Sequence, residues 1–164
     1  TNVTSEVDLH GLSTDGTMHN FIEASSMCFG RHDDEIFVLD HQYAKVWRID
    51  LDDLNAAFDG NGTSVDALTV VDLYYLRDPQ NSENYHALEG IAFIRSTGQI
   101  LILDVYYVYG DGGSVGMQSA RIYSCPVAGP EDGSSCHVWF REDYTLSEYW
   151  DPYSVTVDEE KQLV

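Results

Sequence analysis

Positive charge is what this chain has least of. Against 28 Asp+Glu it carries 8 Lys+Arg, a formal net charge of −20 at pH 7. A field of that sign repels a phosphate backbone and an anionic bilayer surface alike, which argues against nucleic acid or a charged membrane as partner. No apolar run approaches the roughly 18 residues that span a bilayer. With 4 prolines and 13 glycines, the chain is neither collagen-like nor of low complexity. It holds no P-loop, no dinucleotide fingerprint, no zinc-protease spacing among its 6 histidines and no Cys–His nucleophile pair. Gly112-Gly113-Ser114-Val115-Gly116 matches the nucleophile-elbow pattern. That device needs a strand before it and a helix after it, and here strands lie on both sides.

What is present suits one globular domain, residues 1–164. At 164 residues, 43% hydrophobic and 12% aromatic, the chain can bury a substantial core. It opens on Thr1 without a charged-then-apolar leader and stops at Val164 within a strand-like stretch, so more chain is expected. Cysteine is limited to 3. Cys125 and Cys136 bracket a Pro/Gly/Ser-rich loop, a spacing that suits a disulfide across the base of a hairpin, about 2–3 kcal/mol by loop-closure entropy. Cys28 is left over and reads either as a small buried hydrophobe or as the partner of a cysteine in a further segment of chain. Sequons at Asn2-Val3-Thr4 and Asn61-Gly62-Thr63 offer Asn2 and Asn61 as N-glycosylation sites. Sequons, a disulfide and high acidity together predict a secreted or cell-surface glycoprotein.

A repeat organises the interior. Met27-Cys28-Phe29, a polar turn and the strand Glu35 to Asp40 recur 64 residues later. There they read Ile91-Ala92-Phe93, the turn Arg95 to Gly98, and Gln99 to Asp104, without a gap. A weaker third copy begins at Val155-Thr156-Val157. Third strands follow at Ala44–Asp50 and Ala120–Val127, and fourth strands at Ala67–Leu73 and His137–Arg141, by period-2 alternation. One helix is expected at Leu51–Phe58, and Val105–Ser119 reads as a long loop. Four antiparallel strands per repeat predict an all-β fold, a β-propeller of four-stranded blades. About two and a half blades would be present, over residues 20–73, 85–144 and 150–164.

The stretch Glu35 to Asp53 resembles a blade of the YWTD and NHL six-bladed propellers. Ile22-Glu23-Ala24-Ser25, Leu88-Glu89-Gly90-Ile91-Ala92 and Ile122-Tyr123-Ser124-Cys125-Pro126 are closer still to a group of secreted six-bladed propellers. That group carries Glu-Ala-Ser-Gly and Trp-Glu-Asp-Ile-Ala blade starts. Phytase-like esterase propellers are a similar relation. The resemblance covers roughly residues 20–164 and implies a six-bladed propeller, without handing over an activity. The chain departs from the group at His41-Gln42-Tyr43-Ala44, where the group has Asn-Asp-Ser-Gly, and at Leu88-Glu89-Gly90.

In such a ring, Glu23 and Glu89 would converge on the central channel, with Asp104 closing a neighbouring strand. Carboxylates held together repel unless a cation lies between them, so the channel either holds Ca²⁺ or is polar and water-filled. Asp40 and Asp104 also suit a structural role, accepting turn hydrogen bonds. Tyr106, Tyr107 and Tyr109 open the long loop and are the expected protein-contact residues, because tyrosine buries area with few rotatable bonds. The leading expectation is a structural or protein-interaction module, contacting other proteins or copies of itself within a larger assembly. The alternative is a calcium-dependent hydrolase of the phytase-like or lactonase-like propeller type, with His86 as base.

Overall fold

The computed structural model describes residues 7–13, 16–19, 22, 24–61, 64–73, 84–109, 115–128, 133–144, 152 and 154–161, the side chains at 61, 84–86, 106–109, 115–118 and 143–144 apart. Ten strands are formed: β1 (Asp8–Leu12), β2 (Met18–His19), β3 (Ala24–Phe29), β4 (Glu35–Asp40), β5 (Lys45–Asp50), β6 (Ser64–Asp72), β7 (Asn84–Ile94), β8 (Gln99–Tyr109), β9 (Val115–Pro126) and β10 (His137–Tyr144). Among the described residues one α-helix, α1 (Leu51–Ala56), is formed, and it runs into a π-helical turn at Ala57–Asn61. Asp50 caps α1 by accepting from the Asp52 N–H, and Asp52 and Asp53 favour its positive end.

The strands form two sheets, ordered β2-β1-β6-β5-β4-β3 and β10-β9-β8-β7. This corrects the propeller expectation. A closed ring of four-stranded blades is not what the chain builds, and the first sheet is six-stranded and mixed. The reason is the N-terminal segment, in which no strand was expected. Asp8–Leu12 pairs in parallel with Ser64–Leu68, and Met18–His19 folds back on β1. Local alternation carries no signal for a parallel pairing across more than fifty residues. The close approach of β1 to the core also depends on Gly11, where a Cβ would lie 2.7 Å from the Trp47 ring.

The repeat keeps its register at both sites. Phe29 faces Ile36 and Phe93 faces Ile100, and each copy has a bulge at the same place, between Ala24 and Ser26 and between Leu88 and Gly90. The apolar run Ile36–Leu39 is strand on both counts, β-branched content and burial from two sides. Its Phe37 and Leu39 face, with Val46 and Val71, joins Leu88, Ile91, Ile100, Ile102, Tyr123 and Cys125 in the core between the sheets. The Phe37 and Phe93 rings lie 5.3 Å apart across it. The opposite face of the first sheet buries Val38, Trp47, Ile49, Val65 and Ala67, covered in part by Leu54 of α1 and by Leu9.

The turns of the three copies are tied together. Arg95 Nη2 donates to Asp33 Oδ1 at 2.7 Å, and the Arg95 and Ser96 N–H groups donate to Glu159. Gly90 lets the third copy approach, since a Cβ there would lie 2.8 Å from the Val155 nitrogen. Of the stretch Val105–Ser119, read as a loop, residues 105–109 and 115–119 are strand instead, within β8 and β9. Tyr106, Tyr107 and Val108 pair with Ser119, Gln118 and Met117. Cys125 and Cys136 are joined as a disulfide, and Cys28 is a free thiol packed against the same inter-sheet core.

Candidate functional site

Among the described residues of the second sheet, the large hydrophobic side chains left exposed lie on the outer strand β10. In β10, Val138, Trp139 and Phe140 are 47%, 53% and 45% exposed. The pairing explains why three consecutive residues escape burial. Val138 pairs with Tyr123 and Phe140 with Ile122, so Trp139 is the extra residue of a bulge. Tyr123 and Ile122 point to opposite faces of β9. Val138 and Phe140 therefore flank opposite faces of the sheet, where a regular strand would put them on one. From Phe140 to Tyr144 the ladder with β9 runs unbroken, Phe140 to Ile122 through Tyr144 to Gln118. Among the described residues no strand pairs with the other edge of β10.

Behind this edge runs a row of charges. Asp104, Arg121 and Arg141 stand opposite one another on β8, β9 and β10. Asp104 is fully buried beside Arg121. Burial raises the Tyr123 hydroxyl pKa, while a hydrogen bond with Arg121 opposes that rise; the Asp104 carboxylate reinforces it and the Arg141 charge works against it.

A second feature is an open cleft of about 360 Å³ on the first sheet, lined by His32, Asp34, Glu35, Arg48, Asp50, Asp53, Asp66 and Leu68. Two of its carboxylates have structural duties. Glu35 Oε1 accepts the Arg31 N–H at 3.1 Å, and Asp50 caps α1. His10 Nδ1 lies 4.0 Å from Asp66. The cleft concentrates negative potential. Among the described residues no group of three His, Cys, Asp or Glu could hold a metal ion.

Glu23 and Asn2 lie outside the described residues. Glu89 sits half-buried at the bulge of β7, and Asp104 is buried opposite Leu88 on one side and Arg121 on the other. The calcium expectation rests on Glu23 as much as on these two. Asp40 has the structural role foreseen for it: its carboxylate accepts the Tyr43 N–H and the Trp47 indole N–H, each at 3.0 Å. Tyr106, Tyr107 and Tyr109 are strand residues of β8, and their side chains, like those of Asn61 and His86, lie outside the described ones. Of the run Asp33-Asp34-Glu35, Asp33 pairs with Arg95 and the other two line the cleft.

Comparison with family models, with curated proteins and with solved structures returns no match. No helix among the described residues is long and apolar enough to cross a membrane.

Sequence reasoning missed the edge of β10. It identified a strand at His137–Arg141, but a bulge leaves no mark on apolar–polar alternation. The one available signal was the run Val138-Trp139-Phe140 itself, which no half-buried strand of period 2 would carry.

Proposed function

We propose that this chain is a protein-interaction module of an extracellular protein, and that its contact element is the open edge of β10. The observation that carries this reading is the half-exposure of Val138, Trp139 and Phe140 on an outer strand. Tryptophan and phenylalanine cost most to leave in water and supply most of the energy when a partner covers them. The Cys125–Cys136 bond favours an oxidising compartment, in line with the sequons. The net charge of −20 keeps the chain soluble and shapes its choice of partner through local pairs of opposite sign.

A panel of immobilised nine-residue peptides tests it, with apolar residues alternating with basic, acidic or neutral ones, at about 0.15 M salt where distant charges are screened. The wild-type chain should bind a subset saturably. The Trp139→Ser/Phe140→Ser variant, folded by circular dichroism, should bind the same peptides at least about tenfold more weakly. Equal binding by both chains, or none by either, contradicts the reading.

A further inference from the structure

The partner can be named from the strand itself. We infer that β10 pairs with β10 of a second copy of this chain, antiparallel, about a two-fold axis at Glu142. The inference rests on the interaction-module reading and specifies its partner.

Three observations lead there. The bulge at Trp139 ends regular pairing, so the part of β10 able to accept a new strand is Phe140–Tyr144. Glu142 is the midpoint of that segment. An isologous antiparallel pair has its two-fold axis normal to the sheet, so residues of like facing must oppose one another. Complete overlap of Phe140–Tyr144 with itself satisfies this condition and puts Glu142 opposite Glu142.

The register that results is complementary elsewhere. Arg141 of each copy stands opposite Asp143 of the other, and Phe140 opposite Tyr144, so every contact apart from the central one occurs twice. Cross-strand pairs of opposite charge and aromatic pairs are the units that stabilise a sheet. A register shift of two residues moves the axis to Arg141 or to Asp143 and loses both sets, since it sets Arg141 opposite Arg141 or Asp143 opposite Asp143. Val138 and Trp139, both half-exposed, then lie at each end of the new pair.

Glu142 opposite its own copy is the element that limits the association. Like charges directly opposed are destabilising. Together with the field of two chains of −20 each, this predicts a weak dimer that tightens as salt screens the long-range repulsion. Two-fold closure uses each β10 edge once, which stops growth at the dimer.

Sedimentation equilibrium of the intact chain over a range of concentrations, at low and near-physiological salt, reads the mass. The expected result is a concentration-dependent shift from the 18.4 kDa chain toward twice that value, stronger at the higher salt. Arg141→Asp alone and Asp143→Arg alone each place like charges opposite, and should weaken the dimer at least about tenfold. The double variant Arg141→Asp/Asp143→Arg should restore it, because the pairs are remade with their signs exchanged. Glu142→Gln should tighten it severalfold. Thermal unfolding confirms that each variant is folded. A monomer under all conditions overturns the homotypic pairing, as does a dimer that the double variant fails to restore. The module reading would fall separately, on the peptide panel.

Discussion

The Trp47 indole N–H donates to Asp40 Oδ2 at 3.0 Å, and both side chains are fully buried. The carboxylate is held inside the first sheet by this donor and by the Tyr43 N–H, which is why the strand β4 can end on a charge without opening the core. Trp47→Phe keeps most of the apolar contact and deletes the donor. The expected loss is about 2–4 kcal/mol, part cavity and part unsatisfied carboxylate, read from the urea midpoint. Unchanged stability would show that Asp40 does not depend on the indole.

Gly11 sits where the Trp47 ring passes, with room for no side chain. Gly11→Ala should displace β1 from β6 or push the indole from its place, at about 1–3 kcal/mol. Near-ultraviolet circular dichroism separates the two, since only movement of the indole alters the tryptophan signal. A fully stable variant would contradict the close packing of β1.

The contrast between what local pattern reveals and what it hides is clear from these same elements. Glu35–Asp40 is a strand as expected from its apolar run, and Lys45–Asp50 alternates as expected. The helix begins at Leu51, where its acidic cap announces it. Burial period and capping act between neighbours in sequence, so sequence shows them. The pairing of β1 with β6 joins residues such as Leu9 and Val65, and no local rule reports it. The six-stranded sheet, and with it the departure from a four-stranded blade, was invisible for that reason. The same limit hid the candidate site, where one inserted residue in β10 decides which faces Val138 and Phe140 take. It also hid the cleft, whose Asp34, Asp50 and Asp66 come together only through strand order.

Burial pushes the Cys28 thiol up to about 12. Around pH 8 the native chain should therefore carry about a thousandfold less thiolate at Cys28 than an unfolded chain does, and alkylation should be slow until denaturant is added. The raised value stabilises the fold fully below the ordinary thiol pKa. That contribution is lost as pH climbs from there toward 12, because the unfolded state ionises first. Rapid labelling of Cys28 in the native chain at pH 8 would contradict its place in the core.

Glu159 holds the third copy against the second. Hydrogen bonding from Ser96, and then from the Arg95 and Ser96 N–H groups, lowers its pKa below the ordinary glutamate value. The tie is complete above that value and is lost as pH falls through the lowered one. Amide exchange over residues 154–161 should accelerate in that acid range, and Glu159→Gln should show the faster exchange already at pH 7. Exchange that is indifferent to both would place the attachment of this segment elsewhere.

The open edge of β10 is tested most directly by amide hydrogen exchange at Phe140–Tyr144, followed as the concentration of the native chain rises. An edge strand that pairs with a second copy gains protection at the N–H groups pointing away from β9. The prediction is protection that grows with concentration along Phe140–Tyr144, disappears in Arg141→Asp, and leaves β3, an outer strand of the first sheet, unchanged. Exchange at β10 that is the same at every concentration, or protection that appears along β3 instead, would contradict the account.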